Sequence, residues 1–202
     1  DDRVIDEVHQ WRRDTSADLV GLIVGDISAH GSVSGVGWVP VTQGQLTANF
    51  GHSVTEWNAI SNMTMTHEFG HNFGCFHDEG NSTGTPIYPN AYGYKWFTLS
   101  TSGVTVMGYP DTFHPLQPYW STPLRRHNGH VVGTSTKHNN RLCIERNDFQ
   151  VANWSRVVRG TDKAPVIEPG GHPSAEHPGA RDTRAGGAGP NRRGDVHRRT
   201  TG

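Results

Sequence analysis

The chain has 202 residues, with 18 Lys and Arg against 19 Asp and Glu and a formal net charge of −1. That balance leaves no electrostatic footprint for nucleic acid or an anionic membrane surface, so neither is an expected partner. Apolar runs such as residues 22–24 fall far short of the roughly 20 residues that a membrane-spanning helix needs.

The chain opens Asp1-Asp2-Arg3, without the charged start and apolar core of a signal peptide, so none is expected within it. Val4, Ile5, Val8 and Trp11 recur at helical spacing up to Asp14-Thr15-Ser16, which predicts a helix over residues 2–13. Residues 17–24, rich in Leu, Val and Ile and closed by Gly25-Asp26, read as a buried strand. Residues 36–41 are a shorter strand candidate, and Pro40 within it points to a sheet edge. Residues 50–60 form a third, mixed candidate. A helix is predicted over residues 62–73, with Asn62 as its N-cap. Residues 74–134 read as an irregular stretch that holds most of the remaining aromatics and prolines. A helix around 137–146 and a short one ending near Trp154 follow.

From about residue 161 to 202 there is no Phe, Trp or Tyr, and Gly, Pro, Arg and His recur without period. Such a segment buries too little apolar surface to offset its ordering entropy, so 161–202 is expected to be a disordered tail. Its Arg192-Arg193 and Arg198-Arg199 pairs stand among acidic residues and read as solvated charge. Residues 1–160 read as one α+β domain. Two cysteines are too few for a disulfide-built scaffold, so a hydrophobic core has to hold it.

Thirteen histidines are an unusual number, and three of them fall in His67-Glu68-Phe69-Gly70-His71-Asn72-Phe73-Gly74-Cys75-Phe76-His77-Asp78. Residues four apart share a helix face, so His67 and His71 can present two imidazole nitrogens to one metal ion. Glu68 adjoins the first ligand, where its carboxylate can reach a metal-bound water without being a ligand. Gly74 takes a left-handed backbone at no steric cost, ends the helix and lets His77 swing back as a third ligand. Three neutral nitrogen ligands with an open fourth position describe a catalytic Zn2+ site. The bland alternative is a set of ordinary histidines in a histidine-rich chain. A match of this length and spacing arises by accident in roughly one such chain in several thousand.

The motif resembles that of the metzincin zinc peptidases, where it is followed by a Met-turn, here Met107 in Val106-Met107-Gly108-Tyr109. Asp78, directly after the third histidine, is similar to the structural aspartate of the reprolysin or adamalysin branch. Residues 17–24, 35–40, 119–123, 139–142 and 151–154 also resemble microbial reprolysin-like proteases. The resemblance implies an α/β/α-type metzincin fold: a partial mixed sheet, an active-site helix and a loop-rich, helical C-terminal subdomain. It implies a secreted zinc metalloendopeptidase that hydrolyses peptide bonds in proteins with Glu68 as general base, and hence a peptide or protein substrate. Residues 36–40 would be the antiparallel edge strand on which an extended substrate lies. Residues 109–123, with Phe113, Leu116, Tyr119 and Trp120, would wall the pocket for the side chain just after the cut. Aromatics there serve equally well as loop core.

Tyr109 stands two residues after the methionine, where related families carry a tyrosine that ligates zinc or stabilises the tetrahedral intermediate; a packed loop residue is the alternative. Cys75 suits a packed loop residue better than a ligand, and pairing with Cys143 in a secreted protein would tie the last helix to the active-site loop. Asn62, Asn81 and Asn153 head glycosylation-type sequons. The sequence offers no support for calcium. Family domains begin with a strand, a helix and a second strand before the helix at 2–13, so two of five strands are expected to be missing. That departure keeps a second expectation open, a catalytically silent zinc-binding or interaction module.

Overall fold

The computed structural model describes residues 7–27 and 33–155, all within one compact unit, Asp1–Ala164. The tail expected over 161–202 and the start of the first helix lie outside the described residues.

Helix α1 is Glu7–Thr15, with Glu7 in its first turn and Arg12 and Arg13 in its last, which complements the helix dipole. It stops where Ser16 turns left-handed at φ 57°. The buried position is Arg12 rather than Trp11, which is exposed. The inward face therefore runs through His9 and Arg12, three residues apart, and His9 packs edge-on against His52.

Three strands form the sheet in the order β1-β3-β2. β1 (Val20–Val24) pairs parallel with β3 (His52–Glu56), from Val20↔His52 to Val24↔Glu56. β2 (Gly35–Gly37) pairs antiparallel on the other side of β3, with Val36 opposite Val54. The expectation of a buried strand at 17–24 is corrected. Among the described residues β1 is paired on one side only, it is half-buried, and Ile23 is exposed. The mixed candidate at 50–60 becomes the central strand. The edge candidate at 36–41 shortens to β2, because Pro40 has no N–H to give a ladder and the Trp38 carbonyl is taken by Asn72.

Helix α2 (Thr64–Asn72) packs across β2 and β3. Asn62 is not its N-cap. A 3-10 helix, Trp57–Asn62, runs directly into Met63, whose left-handed backbone (φ 59°) occupies the cap position without a side-chain bond. At the other end Gly74 adopts φ 86°, as its place in the motif requires. The buried Asn72 amide then donates to the carbonyls of Trp38, Phe50 and His52 at 3.0, 3.2 and 3.2 Å, tying the helix end to the sheet.

The stretch expected to be irregular contains two short hairpins. β4 (Lys95–Phe97) pairs with β5 (Ser102–Val104), and β6 (Arg126–His127) pairs with β7 (His130–Val131) through an Asn128-Gly129 turn. The last helix, α3 (Asn140–Val151), starts later than expected and is continuous where a break was expected. Lys137 and His138 instead sit in a turn closed on Thr134 Oγ1, and Asn139 caps α3 by accepting from the Leu142 N–H. α3 joins both apolar clusters. Val151 lies in the cluster that holds Leu46, Ala48 and Trp154, while Cys143 packs with Cys75, Ala91 and Met107. Cys75 and Cys143 are free, buried thiols that donate to the carbonyls of Asn140 and Phe73.

Candidate metal centre

Helix α2 places His67 and His71 one turn apart, and the Gly74 turn brings His77 back to them. The Nε2 atom of His77 lies 2.9 Å from that of His71 and 3.0 Å from that of His67. Each ring is tied at its other nitrogen: Nδ1–H of His67 donates to Val106 O at 2.7 Å, that of His71 to Cys75 O at 2.8 Å, and that of His77 to Asn81 O at 3.2 Å. These partners assign the ring protons to Nδ1 and leave three Nε2 lone pairs converging on one point. Tetrahedral zinc spaces imidazole nitrogens by roughly 3.4 Å, so the three rings fit such an ion with an opening of a few tenths of an ångström.

Burial keeps these imidazoles neutral, which is the ligating state. It lowers His67 to about 4 against the opposing pull of the Val106 carbonyl, and lowers His71 to about 3 with help from the two neighbouring rings. His77 is lowered for the same reason. Glu68, on the same helix and only 5% exposed, is raised to about 7 by burial, while the Gly37 N–H favours its carboxylate form. That contact is the local consequence of β2's sequence, since both Gly35 and Gly37 lie so close to Glu68 that a Cβ at either would collide with it.

Asp78, Met107 and Tyr109 lie around this centre. The Asp78 carboxylate accepts from Asn81 Nδ2 at 2.9 Å and from the Tyr109 N–H at 3.0 Å, joining the loop after His77 to the turn after Met107. Met107 is fully buried against the ligand helix, where a Cβ on Gly70 would lie 2.5 Å from its sulfur. The Tyr109 ring stands 4.5 Å from that of His77, partly exposed, and burial raises its hydroxyl pKa, with Glu68 and Asp78 adding to the effect.

All of the sequence-predicted site residues therefore meet in one place. His67, Glu68, His71, His77 and Tyr109 line a cleft of about 720 Å³ together with β2, Pro110 and Leu116. A second cavity, of about 500 Å³, lies across Val106 and is lined by Met63, Tyr119 and Trp120 among others. Of the residues expected in the pocket wall, Phe113 is exposed and lines neither. The carbonyls of Val106, Cys75 and Asn81, the Gly37 N–H and the Asn72 amide were not foreseen; only Asn72, a polar residue inside the motif, was visible as a side chain.

The Reprolysin_5 family model, metallo-peptidase family M12, matches residues 2–121, more than half of the chain. The chain belongs to this family. A reprolysin-type metallopeptidase domain with a three-histidine cluster able to hold a metal ion is therefore present. No curated protein matches this M12 member. A solved structure described as "Structure of a chaperone-substrate complex" is similar in fold, with a TM-score of 0.54 at 20% identity over 74% of this chain. The chain corresponds to 23% of that much longer one.

Proposed function

We propose that this chain is a zinc-dependent metalloendopeptidase with the metzincin α/β/α arrangement, acting on extended protein segments outside the cell. The observation that carries the reading is the convergence of three Nε2 lone pairs, each fixed by a carbonyl on the opposite nitrogen, beside a buried glutamate in one cleft.

His67, His71 and His77 would hold the ion, which when bound supplies Lewis-acid chemistry, polarising the scissile carbonyl and acidifying water. Glu68 takes the proton of the attacking water and delivers it to the leaving amine, and its burial in the cleft favours its holding that proton between the two transfers. β2 is the sheet edge on the cleft side, so a peptide added to it by backbone hydrogen bonds lies along Glu68 and His67. Tyr109, whose ring stands 4.5 Å from that of His77, would stabilise charge developing on the substrate oxygen. Asp78 and Met107 act as positioning residues: the first braces the two loops, the second floors the ligand helix. The cavity beyond Val106 receives the side chain after the cut.

The test is cleavage of an unfolded protein with zinc content measured on the same sample. Stoichiometric zinc, chelator-reversible cleavage and loss of at least about 10²-fold in kcat for a Glu68→Gln protein that still binds zinc are expected. Zinc binding without cleavage, or cleavage by Glu68→Gln protein, overturns the assignment. Recovery of the protein from culture medium of its host tests the extracellular location.

A further inference from the structure

The second cavity borders the metal-site cleft through Val106, the residue whose carbonyl holds His67. Its walls are mostly apolar, from Met63, Val106, Pro118, Trp120 and Leu124, and among the described residues no carboxylate lines it. Two arginines do, and their surroundings differ. Arg141 is already paired with Glu145 one turn along α3. Arg125 lies over the Tyr119 ring, 4.3 Å from its centroid, and has no carboxylate partner among the described residues. The polar end of Tyr119 is itself occupied by His127 Nδ1. A guanidinium stacked on a ring keeps its in-plane N–H donors free, and those donors match a carboxylate in geometry and charge.

Resting on the peptidase reading, we propose that Arg125 makes this cavity select an acidic side chain, glutamate or aspartate, at the substrate position following the scissile bond. The apolar walls take the methylene stem, and the rim cation takes the carboxylate. A lysine or arginine there faces Arg125 with like charge and is disfavoured. Arg125 is exposed, so the pairing is screened by salt and moderate in size.

The experiment uses peptides identical except for Glu, Gln or Lys after the cleaved bond. Because Glu and Gln are nearly isosteric, their ratio isolates the charge. Glu is expected to exceed Gln by about three- to fivefold in kcat/KM, with the ratio shrinking at high ionic strength. In Arg125→Ala protein the ratio falls to within about twofold, in Arg125→Lys it is partly retained, and in Arg125→Glu the preference turns to Lys. A merely structural arginine would change the melting temperature and not this ratio. Equal cleavage of the Glu and Gln peptides, or a preference that survives Arg125→Ala, overturns the proposal. Binding of the same peptides to Glu68→Gln protein separates the two readings. Arg125-dependent selection in Kd with no cleavage by the unmodified protein overturns the peptidase assignment and upholds the selection. Loss of both overturns both.

Discussion

Replacing Gly37 by alanine perturbs the closest approach of β2 to the ligand helix. A Cβ at that position would lie 2.5 Å from the Glu68 carbonyl oxygen and 3.1 Å from both its carbonyl carbon and Oε2. The collision is with helix backbone, so no side-chain rotation relieves it, and restoring ordinary contact moves β2 off α2 by roughly 1 Å. Overpacking of this kind costs about 1–3 kcal/mol. A shelf displaced by about 1 Å from the reacting groups costs about 10²-fold in rate. The three histidines stand outside the collision, so zinc stoichiometry stays intact. Gly25→Ala is the control, since a Cβ there meets nothing within 4 Å. Urea unfolding should show Gly37→Ala less stable by about 1–3 kcal/mol and Gly25→Ala unchanged or up to about 1 kcal/mol more stable. Proteolysis by Gly37→Ala should fall by about 10²-fold in kcat/KM. If Gly37→Ala unfolds at the midpoint of the Gly25→Ala control and cleaves at the unmodified rate, the close approach of shelf and helix is refuted.

Asp78→Ala removes a buried carboxylate that accepts from the part-buried Tyr109 N–H and the Asn81 amide, and should lower stability by about 1–3 kcal/mol in thermal or urea unfolding. Gly74→Ala forces a Cβ into a left-handed turn at φ 86° and should cost about 1–2 kcal/mol by the same assay. Burial first, then His9 and Arg12, lowers His52 to about 4. Its unfolded form binds a proton near pH 6.5, so the unfolded chain holds more protons in between, and stability contributed by His52 is present above that pH and lost as pH falls toward 4. The metal-free ligands His67 and His71, lowered to about 4 and 3, act with the same sign. Urea midpoints between pH 7 and 4.5 should therefore drop with acidity, and less steeply in His52→Gln protein.

The ligand residues were legible in the sequence because helix geometry fixes the i, i+4 relation of His67 and His71, and because Gly74 marks the only turn that can return His77. What clamps them was not. The Val106, Cys75 and Asn81 carbonyls are backbone atoms that every residue carries, and only the path of the chain decides which one meets an imidazole. β3 was hard to identify as central because its buried positions are Ser53 and Thr55, so an apolar alternation is missing. α3 was underestimated for a related reason. Its buried face, Asn140, Cys143, Asn147 and Val151, is half polar. The asparagines belong there because their amides donate to the carbonyls of Ala91 and Phe73, a use that composition does not reveal. Met63 displaced Asn62 from the cap because the preceding 3-10 helix runs on to it.

Helix α2 has nine residues and no side chain capping its start, and isolated helices shorter than about 12–15 residues are marginal in water. It exists as a helix because the Asn72 amide is fastened to three carbonyls of the sheet and its neighbours. An ion held by His67, His71 and His77 therefore recognises only the folded chain, and its apparent affinity contains the folding equilibrium. At a free concentration 100 times its dissociation constant such an ion adds about 2.7 kcal/mol to the stability of the whole domain. Damage to the sheet that touches none of the imidazoles, at Gly37 or under Asn72, would register as easier extraction of metal by a chelator. The strength with which the histidines hold their ion is thus a gauge of how well the strands behind them are assembled.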